Sequence, residues 1–344
     1  MATETGRERR AGGGAAARSA VRGDPIALIF PGQGSQSPGM GQLIYNRSRE
    51  ARLAFEEASE ITRIDLARVC FEGSAEELAE TRATQPAVLT TSVAFLRAMR
   101  EKLGEVGRAI RPRVMGGHSL GLFSAAVASE AISFRDSLLV ILERARLMGS
   151  FSEQRPVGMA SIIGLRHDDV AEICREATLS PADRVDVANH NMDTHLVISG
   201  DLAALERAMA LARAQQGKAI QLRVRVSSHT PLHAEQADEF ATVIREVPIA
   251  EPSVPVVSNV SSQLLDTADR LRAEFEVQLR APVYWAENVR TMSREGVTTF
   301  IEVGPGHVLA NMVRRIAARS TAVALDDARE EPLPISILPD PVAR

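Results

Sequence analysis

Gly117-His118-Ser119-Leu120-Gly121 is the stretch of this 344-residue chain whose residue types and spacing most suggest chemistry. It fits G-x-S-x-G, a turn that holds a serine exposed between a strand and a helix. Val114 and Met115 form an apolar strand before it, and an apolar, Ala-rich helix from Phe123 to Ala131 follows. A serine placed there stands at a helix N-terminus. The N–H of the next residue, Leu120, is then free to receive a developing oxyanion. Gly117 and Gly121 let strand and helix pack closely around the strained turn. The chemistry would be nucleophilic attack on a carbonyl carbon. The plainer alternative is a glycine-rich turn capped by Ser119.

An activated serine needs a base within hydrogen-bond reach. Of the seven histidines, His118 is a poor candidate, because adjacent residues on a turn point apart. At that position of the turn the side chain packs beneath the loop. His229 is better placed, in Ser227-Ser228-His229-Thr230-Pro231 after an apolar strand. Taken alone, a histidine at a strand end is more often structural than catalytic.

Composition limits the other classes of function. Apolar residues make up 45% of the chain, enough for a sizeable core, and the formal net charge is −4. No basic excess points to nucleic acid or to an anionic membrane. Cys70 and Cys174 are the two cysteines and lack metal-ligand or CxxC spacing, so a reducing cytoplasm is expected and no metal site. No apolar run reaches the ~18 residues that span a bilayer. Lysine occurs only at 102 and 218 while arginine is abundant, which reads as a GC-rich coding bias.

The elements that must position these residues can be read from periodicity. Residues 1–24 are rich in Gly, Ala and Arg without apolar periodicity and read as a disordered extension. Residues 26–30 form a buried first strand that ends at Pro31-Gly32-Gln33-Gly34-Ser35-Gln36. Helical patterns follow to about residue 104, one of them from Gln85 to Met99 with Pro86 in its first turn. Ser133 to Asp136 resembles a capping box that opens a helix to about Met148. From Pro156 the pattern changes to strands at 158–165, 185–188, 196–199 and 219–226, with helices at 168–177 and 202–215. That β-α-β-β-α-β order is the ferredoxin-like arrangement. It predicts a small subdomain over 155–226, inserted into a large domain made of 25–154 and 227–320. Residues 254–258 and 299–303 read as strands returning to the main sheet, and 321–344, with several prolines, as a tail that wraps the surface or frays.

Seven motifs in order carry a resemblance: Phe30-Pro31-Gly32-Gln33-Gly34-Ser35-Gln36; Thr84-Gln85-Pro86-Ala87; Gly117 to Gly121; Arg144; Ser228-His229; Gln278-Leu279 with Pro282-Val283 and Trp285; and Glu302-Val303-Gly304-Pro305-Gly306. Over roughly residues 25–318 the chain resembles the malonyl-CoA:acyl-carrier-protein transacylases and the related acyltransferase domains of polyketide synthases. The resemblance implies an α/β fold, with a large α/β-hydrolase-like domain on a parallel sheet and an inserted ferredoxin-like small subdomain. It implies Ser119 as nucleophile and His229 as base, then acid. The histidine would be oriented by the backbone carbonyl of Gln278, and the oxyanion held by the N–H groups of Gln33 and Leu120.

Arg144 stands 25 residues past Ser119, where the family carries an arginine that binds the substrate carboxylate. A guanidinium matches a carboxylate bidentately. Arg146, two positions on, lies on another helix face and reads as solvated. Asn189 and Asn191 match asparagines at the mouth of the family's site, although turn formation explains them equally. Gln85 matches a family glutamine near the site, or caps its helix. Three positions depart from the pattern: Leu122 where Glu is frequent, His233 where a large apolar residue is usual, and Val226-Ser227-Ser228-His229 in the extender-selecting window. Ser228 is smaller than the Phe of one family signature and leaves room for an α-substituent. Ser228, His233, Leu122, Gln85, Asn189 and Asn191 are therefore the expected acyl-pocket residues.

The expectation is a discrete, monomeric acyltransferase. It loads malonyl, or an α-substituted malonyl, from CoA onto the phosphopantetheine thiol of an acyl carrier protein for fatty-acid or polyketide synthesis. No cofactor is bound; acyl-CoA is the donor and the phosphopantetheine arm belongs to the partner. Two rivals use the same residues: a thioesterase with water as acceptor, and a catalytically silent docking module.

Overall fold

The computed structural model describes residues 24–222, 224 and 226–327. Residues 1–23, Arg223, Arg225 and 328–344 lie outside the described residues, and with them most of the expected N-terminal extension and C-terminal tail. Among the described residues the strands in chain order are β1 (Asp24–Phe30), β2 (Pro112–Gly117), β3 (Val157–Ile163), β4 (Val185–Met192), β5 (His195–Asp201), β6 (Lys218–Gln221), β7 (Val256–Val257), β8 (Leu264–Leu265), β9 (Thr299–Glu302) and β10 (Thr321–Ala324).

The larger sheet has the order β10-β9-β1-β2-β7-β8 and is parallel except for β8. Its central strands are apolar on both faces, as a sheet covered by helices requires. Ile26, Leu28 and Phe30 point into one core, and Ala27 and Ile29 into the other. Phe30 pairs with Gly117. The two chemically suggestive loops thus leave neighbouring parallel strands at their carboxyl ends, the usual place for a ligand in an open α/β sheet.

The smaller sheet has the order β4-β5-β3-β6, with all pairings antiparallel. Its strands and the helices His167–Ala177 and Leu202–Ala214 follow the expected β-α-β-β-α-β order. Strand alternation divides its two faces. Ala160, Ile162, Leu196 and Ile198 pack on the two helices, while Met159, Ser161, His195 and Val197 face a cleft.

Four expectations need correction. The helix read as starting near Gln85 spans Thr81–Glu105, with Pro86 inside it. Proline removes one helical N–H there, but the preceding turn is held as the Thr84 hydroxyl donates to the Glu80 carbonyl at 2.9 Å. The helix after Ser133 runs on to Gln154; Ser133 Oγ accepts from Asp136 N at its start. Strand β6 stops at Gln221, short of the expected Val226, with one further bond to β3 from Leu222 N to the Met159 carbonyl at 2.9 Å. Residues 321–324, read as tail, form β10 and extend the parallel sheet beside β9. No helix among the described residues is long and apolar enough to cross a membrane.

Candidate active site

Ser119 sits between β2 and the helix Gly121–Ala128 with φ of 52°, in the left-handed region that a residue with a side chain seldom adopts. The strain is imposed by close packing. A side chain on Gly121 would collide with the Phe30 carbonyl, and one on Gly117 with the Gly121 backbone. The His118 N–H donates to the Phe30 carbonyl at 3.0 Å, tying the turn to the neighbouring strand.

His229 also has positive φ, 62°, and its backbone N–H donates to the Leu279 carbonyl at 2.7 Å. Its Nε2 lies 2.6 Å from Ser119 Oγ. On the other side of the ring, Nδ1 lies 2.9 Å from the Gln278 carbonyl and 3.3 Å from that of Ala281. A carbonyl only accepts, so Nδ1 carries the proton and Nε2 presents its lone pair to the serine hydroxyl. Burial, with Arg144 nearby, pushes the His229 pKa down to about 3, against the pull of the Gln278 carbonyl. The imidazole is therefore neutral at physiological pH, the form that can accept a proton.

The first loop lies directly on this pair. A side chain on Gly32 would strike the His118 carbonyl and stand 3.6 Å from Leu120 N. Gln33 and Gly34 follow in the cavity wall. The Leu120 N–H precedes the helix Gly121–Ala128, where no earlier helical carbonyl can receive it.

Arg144 is 1% exposed, on the helix Phe134–Gln154. Its Nη1 donates to Gln85 Oε1 at 2.9 Å and contacts Met148 Sδ at 3.3 Å, and its Nη2 reaches Ser119 Oγ at 3.3 Å. Nε has no partner, and among the described residues no carboxylate pairs with this guanidinium. Burial alone lowers its pKa to about 10, so it stays charged. A buried cation without a carboxylate partner is costly, and an anion beside it would offset that cost. Arg146 is exposed and paired with Glu143 and Glu239.

A cavity of about 650 Å³ opens between the two sheets over Ser119, His229 and Arg144. Ser228, Asn189 and Asn191 line it. Both asparagines are strand residues, not turn residues. A bulge between Val187 and Asn189 re-aims β4, so that Asn189 and Asn191 face the cleft although Val187 packs toward the helices. Asn191 Oδ1 lies 2.8 Å from His118 Nε2, so His118 is at the cavity edge and not beneath the loop.

Three expected pocket residues lie outside the cavity wall. Leu122 is fully buried in the hydrophobic core. His233 is buried with Nε2 2.7 Å from Ser227 Oγ and its ring 4.4 Å from Phe151. Gln85 stands behind Arg144 as its acceptor. Sequence reading missed Asn259. Its Oδ1 accepts from Ser119 N at 2.8 Å and its Nδ2 donates to the Gly117 carbonyl at 2.7 Å. The Gln278 side chain was missed as well; its Nε2 donates to the Ser119 carbonyl at 3.0 Å.

A parallel sheet carrying a Ser–His pair at its carboxyl edge, closed over by a second antiparallel sheet, places the molecule among the α/β acyltransferases. The chain belongs to the acyl transferase domain family, whose model matches residues 27–332. It is 37% identical over 314 residues to the malonyl CoA-acyl carrier protein transacylase of Bacillus subtilis, covering 91% of this chain and 97% of that protein. The Escherichia coli K12 protein of the same description is 37% identical over 303 residues, 88% of this chain and 96% of that one. Among solved structures, the acyl carrier protein S-malonyltransferase of Vibrio cholerae superposes with a TM-score of 0.81 at 34% identity, covering 88% and 96% of the two chains. A malonyl-transacylase solved in complex with its type II PKS acyl-carrier protein superposes with a TM-score of 0.82 at 34% identity, covering 87% and 95%.

Proposed function

We propose that this protein moves a malonyl group from CoA to the phosphopantetheine thiol of an acyl carrier protein, through an ester on Ser119. The observation that carries the reading is the buried, unpaired Arg144 guanidinium 3.3 Å from Ser119 Oγ. It supports an acyl group with a free carboxylate at its far end, held bidentately while the thioester faces the serine. The names of the relatives support the same substrate and carrier.

Ser119 Oγ attacks the thioester carbonyl as His229 Nε2 takes the hydroxyl proton. The Gln33 and Leu120 N–H groups hold the tetrahedral oxyanion. The carbon–sulfur bond then breaks, and CoA leaves as a thiol with the proton from His229. The carrier thiol repeats these steps in reverse, giving ping-pong kinetics. The Gln278 carbonyl keeps Nδ1 protonated and steadies the imidazolium that forms. Cys70 and Cys174 are buried free thiols with pKa values pushed up to about 12 by burial, in keeping with a cytoplasmic enzyme that does not use them.

Intact-protein mass spectrometry after incubation with malonyl-CoA tests the proposal. Ser119 gains one malonyl mass and passes it to a phosphopantetheinylated carrier protein, and Ser119→Ala gains none. Label on another residue, or release of malonate in place of transfer to the carrier, overturns it.

A further inference from the structure

The serine turn is held from outside by the carboxamide of Asn259, with that of Gln278 beside it. Asn259 follows β7, 140 residues from Ser119, and is fully buried. Its Oδ1 accepts from Ser119 N at 2.8 Å while its Nδ2 donates to the Gly117 carbonyl at 2.7 Å. Only one orientation of the amide satisfies both partners, because an N–H must meet an acceptor and a carbonyl a donor. Gln278 Nε2 adds a donor to the Ser119 carbonyl and lies 3.5 Å from Asn259 Oδ1. The peptide groups on both sides of the strained serine are thus held by side chains of other segments.

Asn259 is itself fixed by its backbone. Its carbonyl accepts from Tyr284 N at 2.9 Å, and its N–H donates to Glu274 Oε1 at 2.8 Å. Glu274 is a buried carboxylate on the helix Ala268–Val277 that also accepts from Ser258 Oγ at 2.6 Å and Val260 N at 3.3 Å.

We propose that Asn259 is a positioning residue for catalysis: its carboxamide clamps residues 117–119 and occupies the Ser119 N–H, leaving Leu120 N–H as the turn's oxyanion donor. Glu274 anchors the clamp. The proposal rests on Ser119 being the nucleophile. An unclamped turn can relax from φ of 52°, which withdraws Oγ from His229 and misaims the Leu120 N–H.

Asn259→Asp tests this, because a carboxyl has the amide's shape but changes its donors with pH. Ionised, it accepts only; it faces the Gly117 carbonyl with a second acceptor and sets a negative charge beside the developing oxyanion. Protonated, its O–H donates to the Gly117 carbonyl while its other oxygen accepts from Ser119 N, and the clamp is restored. Burial and Glu274 both raise the pKa of the introduced carboxyl, while Arg144, 3.3 Å from Ser119 Oγ, opposes them. His229 and His118 are the other titratable groups near the turn. His229 stays neutral well below pH 6.

The readout is the rate at which phenylmethanesulfonyl fluoride sulfonylates Ser119. The Ser119 oxygen displaces fluoride and its proton leaves through His229, so the rate reports the nucleophile whichever acyl group the enzyme carries. At pH 8, Asn259→Asp reacts about tenfold or more slowly than wild type, the scale of one lost buried hydrogen bond. Between pH 8 and 5.5 the variant's rate, relative to wild type at each pH, recovers. A variant profile parallel to the wild-type profile overturns the clamp. Asn259→Ala gives a second readout: slowed sulfonylation without acid recovery, and a lowered kcat for acyl transfer with KM for acyl-CoA little changed. Wild-type sulfonylation by Asn259→Ala also overturns the proposal. A wild-type protein that reacts at Ser119 yet transfers no malonyl would refute the proposed substrate and leave the clamp standing.

Discussion

Arg144 Nη2 stands 3.3 Å from Ser119 Oγ, the same oxygen that His229 Nε2 approaches to 2.6 Å. Cation and base therefore converge on one hydroxyl. The arginine depresses the basicity of the histidine, and burial does so more strongly. The serine hydroxyl and Met148 Sδ are the guanidinium's neighbours along the cavity wall. A substrate carboxylate would give the cation its charge partner.

Removal of Arg144 separates acyl groups by charge. Arg144→Ala lowers kcat/KM for malonyl-CoA by roughly two to three orders of magnitude, because the distal carboxylate is left desolvated and unpaired. Acetyl transfer stays level or rises, since a methyl-ended group has no charge to lose. Arg144→Lys recovers little, because an ammonium lacks the planar fork. A competition assay with mixed acyl-CoAs, read as acyl mass on the carrier protein, checks this. Equal loss for malonyl and acetyl would make Arg144 structural.

His229→Ala slows acylation by roughly 10²–10⁴, the scale of general acid–base catalysis. His118→Ala and His233→Ala cost less. His118 touches Asn191 and not the serine hydroxyl, and His233 is tied to Ser227. Stopped-flow release of CoA gives the three rates. A fast His229→Ala enzyme would show that another group takes the proton.

Stability falls with acid below pH 6.5. Burial holds His229 near 3 and His233 and His190 near 4, so each is neutral in the fold. Unfolding releases them to an ordinary value of about 6.5, so between 6.5 and those lowered values the unfolded chain binds more protons. Their contribution is complete above pH 6.5 and drains away as pH drops through each folded value. His233→Leu removes one of these proton sinks, so its Tm falls less steeply than wild type between pH 6.5 and 4.5. Thermal unfolding across that range is the measurement, and parallel curves for the two proteins would contradict it.

Ser228→Phe narrows the acyl end of the cavity. Ser228 Oγ lies 3.8 Å from Met159 Sδ across the wall. A phenyl ring there fills the space beside the α-carbon of a bound acyl group. Methylmalonyl transfer therefore drops more than malonyl transfer, as read by the same competition assay. A uniform drop would place Ser228 away from the α-carbon.

Much of this was legible locally. The turn around Ser119 announces itself through five adjacent residues. Short apolar runs mark β1, β3 and β5, because a strand or helix is set by residues a few positions apart. Arg144 could be told from Arg146 by the family resemblance, which carries an arginine at that distance from the serine, and the fold separates them: one is buried, the other ion-paired at the surface. The order of strands and helices across 157–221 also followed from periodicity.

Other features depend on which face of an element meets which neighbour, and a single pattern does not encode that. Leu122 and His233 stand within four residues of the nucleophile and the base, yet helix geometry turns both into the core. The bulge after Val187 reverses the alternation that would have sent Asn189 and Asn191 toward the helices. Residues 321–324 carry tail-like composition, but an open parallel edge beside β9 recruits them as a strand. Asn259 has no local mark at all. Its carboxamide matters because parallel pairing of β2 with β7 sets the segment after Val257 beside the serine turn, 140 residues away in the chain. The sequence alone determined which residues could do the chemistry; tertiary packing decided which of them reach Ser119, because only packing brings donors and acceptors from distant segments within hydrogen-bond distance of one another.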